Sequence, residues 1–225
     1  MPQPYVLVVD DHPLVCAALQ LAIKAASAEV VVEVADCIAA MEKAARPDRP
    51  FRLVVLDLIL PDAQGFSGLL AAQRAFPDAS VVVVSAREDA RTIGLAAAFG
   101  AAGYITKATP LAAMRDAFRI LLAGGSVFPE GTTEPESDEP RRLGRLAAGL
   151  SPAQRRILVA VADGRPSKVV AHELGLTEAT VKAHLTHLFR VFGVGNRSQL
   201  ILAARPLLDL QPEEGAEPSP ATAQP

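Results

Sequence analysis

Cysteine is scarce in this chain. Cys16 and Cys37 are the two cysteines among 225 residues, far too few for a disulfide framework, and they read as small buried hydrophobes in a reducing compartment. A membrane-length apolar run is missing as well. The longest uncharged stretch, Thr92 to Thr106, is Ala/Gly-rich and too short to span a bilayer. Met-Pro-Gln-Pro at the N-terminus carries none of the positive charge of a secretory n-region. No internal repeat recurs, and no G-x-G-x-x-G follows the first apolar run, which removes dinucleotide binding. The expectation is a soluble, cytoplasmic protein with no membrane partner.

Half of the residues are hydrophobic, enough to build a sizeable core in one large domain or two small ones. The net charge of −3 hides a segregation. Basic residues outnumber acids in 149–205, where three of the four histidines also lie, whereas 206–225 has four acids and no Lys or Arg. A basic module on an acidic chain points to a polyanionic partner for that module alone.

Along residues 1–124 two periods alternate. Short β-branched runs stand at Tyr5–Val9, Val30–Val34, Leu53–Leu56, Ser80–Val84 and Gly103–Thr106. Between them lie Ala/Leu-rich stretches with helical spacing, at 13–26, 37–46, 66–76, 88–99 and 110–123. Runs such as Leu-Val-Val-Leu do not alternate with polar residues, so they belong to strands buried on both faces. Five such units predict an α/β fold, a flavodoxin-like doubly wound sheet of five parallel strands. His12-Pro13 and Thr109-Pro110 each set a capping side chain before a proline suited to a first helical turn. Residues 125–148, rich in Pro, Glu, Thr and Ser over Pro129–Pro140, read as a flexible linker. A smaller all-α domain follows over 149–205: Ser151 as N-cap, then helices at Ser167–Leu174, Glu178–Phe192 and Arg197–Ala204. The tail, 206–225, has nothing to pack and is expected to be disordered.

The strands end in a particular chemistry. Asp10 and Asp11 close the first strand and Asp57 the third, which are neighbours in a flavodoxin-like order. Ligands of such sheets sit outside the carboxyl ends of the strands. Three converging carboxylates repel one another unless a cation joins them, and an oxygen-only donor set favours magnesium, Mg²⁺. Ser85 closes the fourth strand and Lys107 the fifth, so a hydroxyl and an ammonium face the same crevice. Each residue alone has an ordinary explanation: a cap, a turn, a solvated lysine. Jointly they specify a carboxylate nucleophile, Asp57, that becomes an aspartyl phosphate.

The stretches V-L-V-V-D-D-H-P, D-L-I-L-P-D-A-Q-G, V-V-S-A and G-A-A-G-Y-I-T-K, in that order, resemble the receiver domain of two-component response regulators over residues 5–123. The resemblance implies phosphorylation of Asp57 by a sensor histidine kinase, with Asp10 and Asp11 holding Mg²⁺. It also implies that the main-chain carbonyl of Ile59 completes the metal shell. The same resemblance implies that on phosphorylation Ser85 is drawn to the phosphate and Tyr104 turns inward behind it. One departure is Ala108, where many receivers have proline after the lysine.

In the basic segment, a helix, a turn holding Gly175 and a second helix make a helix-turn-helix pattern. Val181, Leu185, Leu188, Phe189 and Phe192 form one apolar stripe. The opposite face presents Ala179, Lys182, Ala183, Thr186 and Arg190, small residues beside cations that suit a major groove. Thr177 and Thr180 at the helix start suit a phosphate. A helical packing domain with a solvated basic face explains the pattern equally well until the motifs are considered. His184 and His187 lack further metal ligands nearby. L-S-P-A-Q-R-R-I-L, then T-V-K-A-H-L, then R-V-F-G-V-G-N-R-S-Q-L resemble the LuxR-type DNA-binding domain over 149–205. Joined to a receiver, this is the NarL/FixJ arrangement. The resemblance implies that Lys182, Ala183 and Thr186 face bases of double-stranded DNA, with Thr177, Thr180 and Arg190 near phosphates. It also makes Arg197–Ala204 the contact of a homodimer formed on phosphorylation or on DNA. The expected protein is a regulator of transcription and not an enzyme. A phosphatase using an aspartyl phosphate would need a second Asp two residues after Asp57, where Ile59 stands. The other alternative keeps DNA binding and makes the receiver a dimerisation or ligand-sensing module independent of phosphorylation.

Overall fold

The computed structural model describes residues 4–46, 49–132, 138–162 and 164–208. Five strands, β1 (Tyr5–Val9), β2 (Val31–Ala35), β3 (Phe51–Leu56), β4 (Ser80–Ser85) and β5 (Gly103–Thr106), alternate with α1 (Pro13–Ala26), α2 (Ile38–Ala44), α3 (Ser67–Ala75), α4 (Ala90–Ala98) and α5 (Leu111–Leu122). The strands pair in parallel in the order β2-β1-β3-β4-β5, the flavodoxin-like topology expected. Because side chains alternate along a strand, each apolar run feeds two cores. Val6, Val8, Leu53, Val55, Val82 and Val84 pack under α1 and α5 with Leu19, Ile23, Phe118 and Leu121. Leu7, Val9, Val54, Leu56, Val81 and Val83 face α2, α3 and α4.

That second core does not stop at the receiver. It runs on into five more helices: α6 (Glu139–Ala148), α7 (Pro152–Ala162), α8 (Ser167–Glu173), α9 (Glu178–Phe192) and α10 (Arg197–Leu208). The segment expected as a flexible linker therefore has structure at both ends. Val127 bridges Gly103 on the open edge of β5, with Tyr104 N–H donating to Val127 O at 2.7 Å. Residues 139–148 form α6, whose Leu143, Gly144 and Ala147 make a narrow buried stripe against the receiver. Three small or apolar positions among Pro, Glu and Arg are too weak a period to read from sequence. Residues 133–137 lie outside the described residues.

The C-terminal helix also runs further than expected. α10 extends to Leu208, and Leu207 and Leu208 are buried against the receiver, so the first part of the presumed disordered tail is helical. The rest of that tail, 209–225, is outside the described residues. Among the caps, Ser151 behaves as expected. It forms a reciprocal box, Gln154 N–H to Ser151 Oγ at 3.2 Å and Ser151 N–H to Gln154 Oε1 at 2.7 Å. His12 holds the cap position of α1 but makes no side-chain cap bond, its ring being turned to the carboxylates beside it. Thr109 does not cap α5; Pro110 takes that place, and Thr109 Oγ1 pairs with Thr106 Oγ1 at 3.1 Å.

Phe118 is fully buried beneath the sheet on α5. Truncation there leaves an unfilled cavity, so Phe118→Ala should lower the unfolding free energy of the receiver by about 3–5 kcal/mol. Urea denaturation followed by far-UV circular dichroism measures it.

Candidate functional site

The register of the sheet builds the first site. Val9 of β1 lies beside Leu56 of β3, so the next residues, Asp10 and Asp57, leave the sheet side by side. Backbone bonds hold both: Asp10 N–H to Ala35 O at 3.1 Å and Asp57 N–H to Val9 O at 2.9 Å. From the other side, Lys107 N–H donates to Ser85 O at 2.8 Å, which brings the lysine over the same crevice. Its ammonium lies 2.7 Å from Asp57 Oδ2 and 2.8 Å from Asp10 Oδ2. The Asp57 contact is an aligned hydrogen bond. Asp10 Oδ2 is buried, and the same ammonium is its ion-pair partner.

Asp11 and His12 complete the rim. His12 Nδ1 is 2.7 Å from Asp11 Oδ1 and 3.4 Å from Asp10 Oδ1. Donor atoms of Asp10, Asp11, His12 and Asp57 all fall within 4.8 Å of one another. His12 is a member that sequence reasoning missed as a site residue, because its place before Pro13 made it a cap. Three carboxylates against one ammonium leave the crevice net negative. The donor set fits a hard divalent cation.

The remaining expected residues take these places. Ile59 is half exposed and its N–H donates to Asp57 Oδ1 at 3.2 Å, steadying the carboxylate. Ser85 is fully buried, and its Oγ accepts from Arg87 N–H at 3.3 Å. Tyr104 is already turned inward, and its hydroxyl donates to Arg87 O at 2.9 Å. Burial pushes that phenol up to about 12, so it stays a donor at any physiological pH.

The second site lies on α9. Thr177 caps the helix, accepting from Thr180 N–H at 3.1 Å, and the two hydroxyls are 2.8 Å apart. Gly175 and Gly193, at φ of +64° and +68°, turn the chain at the two ends in a conformation that favours glycine. Val181, Leu185, Leu188 and Phe192 are buried as the stripe requires. Lys182, Ala183, Thr186 and Arg190 are exposed together, and Thr186 Oγ1 donates to Lys182 O at 3.0 Å. Sequence reasoning missed Glu178, one turn before Lys182, whose carboxylate pairs with the ammonium at 2.8 Å. The hydrogen bond from Lys182 holds that carboxyl below the usual range.

Titration in the acidic site follows from its packing. Burial raises the Asp57 carboxyl above the ordinary value of 3.8, and bonds from Lys107 and Ile59 only partly oppose this. Burial pulls Lys107 down, but Asp10 and Asp57 outweigh it and keep the ammonium charged. A carboxyl raised on folding costs nothing below its unfolded pKa and destabilises as pH rises through its folded one. With a metal chelator present, Asp57→Asn should therefore melt higher than wild type at pH 7. The gap should close toward pH 4, as read by differential scanning calorimetry.

The matches to known proteins bear on both sites. Residues 6–119 match the model of the response regulator receiver domain, and residues 148–204 that of bacterial regulatory proteins of the luxR family. The glycerol metabolism activator of Pseudomonas putida is 33% identical over 208 residues, covering 88% of this chain and 94% of that protein. The nitrate/nitrite response regulator NarL of Escherichia coli K12 is 29% identical, covering 85% and 90%. RcsB from Salmonella enterica serovar Typhimurium, solved bound to a promoter in the presence of the phosphomimetic BeF3-, overlays with a TM-score of 0.51 at 21% identity. The overlay covers 91% of this chain and 98% of RcsB. No helix among the described residues is long and apolar enough to cross a membrane. With a receiver ahead of a LuxR-type module, the chain belongs to the NarL/FixJ family of two-component response regulators and acts as a transcription regulator.

Proposed function

We propose that Asp57 is the phosphoacceptor, taking a phosphoryl group from a histidine of a sensor kinase. A P–N bond breaks on the kinase and a P–O bond forms on the Asp57 carboxylate. The observation that carries this reading is the single Lys107 ammonium lying 2.7 and 2.8 Å from carboxylates at the ends of two neighbouring strands. Asp10, Asp11, Asp57 and the main-chain carbonyl of Ile59 would hold Mg²⁺, whose charge offsets that of the transferring group. Lys107 then pairs with a phosphate oxygen, and the Ser85 hydroxyl donates to another. Tyr104 backs Ser85, an inward place that its burial supports.

On the second site, Lys182, Ala183 and Thr186 face base edges of double-stranded DNA in the major groove, with Thr177, Thr180 and Arg190 near phosphates. Their joint exposure on α9 supports this. Phosphorylation favours a homodimer that engages two half-sites, in the cytoplasm where the DNA lies. For this to switch anything, phosphate must stabilise the dimeric arrangement more than the monomeric one.

Incubation with a small phosphodonor should add one phosphate to the wild type in the presence of Mg²⁺, and none to Asp57→Ala, by intact mass. Equal operator affinity and equal oligomeric state for the two proteins under those conditions would leave the phosphorylation-independent regulator as the correct reading. Lys182→Ala should cost about 1–3 kcal/mol and relax preference at one base position. Arg190→Ala should weaken binding to all sequences and reduce the salt slope by about one. Fluorescence anisotropy across a salt series separates these two effects.

A further inference from the structure

His12 stands before α1 without doing what its place suggests. Its backbone is extended, with φ −99° and ψ 107°, and Pro13 opens the helix after it, yet the imidazole makes no bond to the first turn. The His12 N–H donates to Asp10 Oδ1 at 2.9 Å, a short turn that folds the ring back over the strand ends. There Nδ1 lies 2.7 Å from Asp11 Oδ1 and 3.4 Å from Asp10 Oδ1. Lys107 meets the buried acids at other atoms, Oδ2 of Asp10 and Oδ2 of Asp57. The imidazole and the ammonium therefore divide the oxygens between them.

These separations fit a shared ion. Bonds of about 2.1 Å in an octahedral shell put adjacent donors about 3 Å apart and opposite ones about 4.2 Å apart. One donor atom each from Asp10, Asp11, His12 and Asp57 lies within 4.8 Å of every other. No other group of three or more Asp, Glu, His or Cys among the described residues meets that condition. The ordinary explanation, a hydrogen bond from the ring to Asp11, joins two exposed groups and contributes little. A neutral ring bonded that way offsets none of the charge that the three carboxylates bring together. Nitrogen also changes which ion such a set prefers. Carboxylate and carbonyl oxygens suit Mg²⁺, whereas imidazole suits Fe²⁺, Ni²⁺, Cu²⁺ and Zn²⁺. Mg²⁺ gives up its water reluctantly and gains least from a further protein ligand.

The geometry points to His12 as a direct ligand of this crevice, one that shifts its preference from Mg²⁺ toward a late first-row divalent cation. Nδ1 supplies the lone pair, and the ring keeps its proton on Nε2. Asp11, Asp57 and Asp10 supply oxygens, the last through Oδ1, which leaves Oδ2 to Lys107. The inference rests on the cation site of the phosphoacceptor reading and goes beyond it by naming the class of ion the site selects. His184 and His187 on α9 belong to no comparable group, so a nitrogen-seeking ion has one such destination among the described residues.

The test titrates the full chain, dialysed against chelator, with Co²⁺ alone and with Mg²⁺ alone by isothermal calorimetry. Co²⁺ sits among the nitrogen-preferring ions of the divalent series. The His12 side chain is 64% exposed, so His12→Ala leaves the fold intact, which circular dichroism checks. This variant should bind Co²⁺ at least about ten-fold more weakly than wild type and Mg²⁺ within about two-fold. Co²⁺-loaded wild type should also show a strongly downfield, solvent-exchangeable imidazole N–H resonance in its proton spectrum. That resonance should be absent from His12→Ala and kept by the His184→Gln/His187→Gln double variant. Equal Co²⁺ affinity in wild type and His12→Ala overturns the inference, as does a resonance that follows the α9 histidines. An equal loss of both ions overturns it too, since His12 would then only position Asp11. Should Co²⁺ bind through His12 while a phosphodonor with Mg²⁺ adds no mass to the chain, the phosphoacceptor reading fails and the ligand assignment stands.

Discussion

The alignment of β1 with β3 is the constraint on which the receiver's chemistry depends. Parallel pairing of Val9 with Leu56 leaves Asp10 and Asp57 no choice but to emerge shoulder to shoulder. Both are nearly inaccessible to solvent, where like charges repel strongly and lose hydration. One ammonium from the end of β5 compensates part of this, and the rest of the imbalance remains as an appetite for cations. A cluster arranged this way is poor for stability and well suited to chemistry, the usual mark of a functional site.

Much of this is legible in the amino-acid sequence alone. Unbroken Val/Leu runs identify strands covered on both faces, and five of them alternating with helices leave few topologies. Once the order is flavodoxin-like, the acids, the serine and the lysine converge because each directly follows or closes a strand. The two motifs on α9 were legible for a similar reason, since a fifteen-residue helix carries a strong period. What escaped was everything set by weak patterns or by contacts distant in sequence. α6 hides in linker composition, and the last turn of α10 includes Pro206, an unlikely helix member from sequence alone. Glu42 and Arg155 are 113 positions apart, and nothing local in either marks the pair.

The recognition helix shows a restrained electrostatic design. On its exposed face Lys182 is paired with Glu178. Any anion that approaches the ammonium competes with that carboxylate, weakly, because both groups are exposed. Thr177 and Thr180 are likewise engaged with each other before DNA arrives.

The short bridge between Gly103 and Val127 has a consequence for how the polypeptide is made. β5 is the last strand of the sheet, and its free side is a row of backbone groups able to recruit any extended peptide nearby. Val127 covers part of that row only after α5 has been laid down. A nascent chain halted at residue 122, or a receiver excised there, therefore presents a sticky border that the longer polypeptide partly covers for itself.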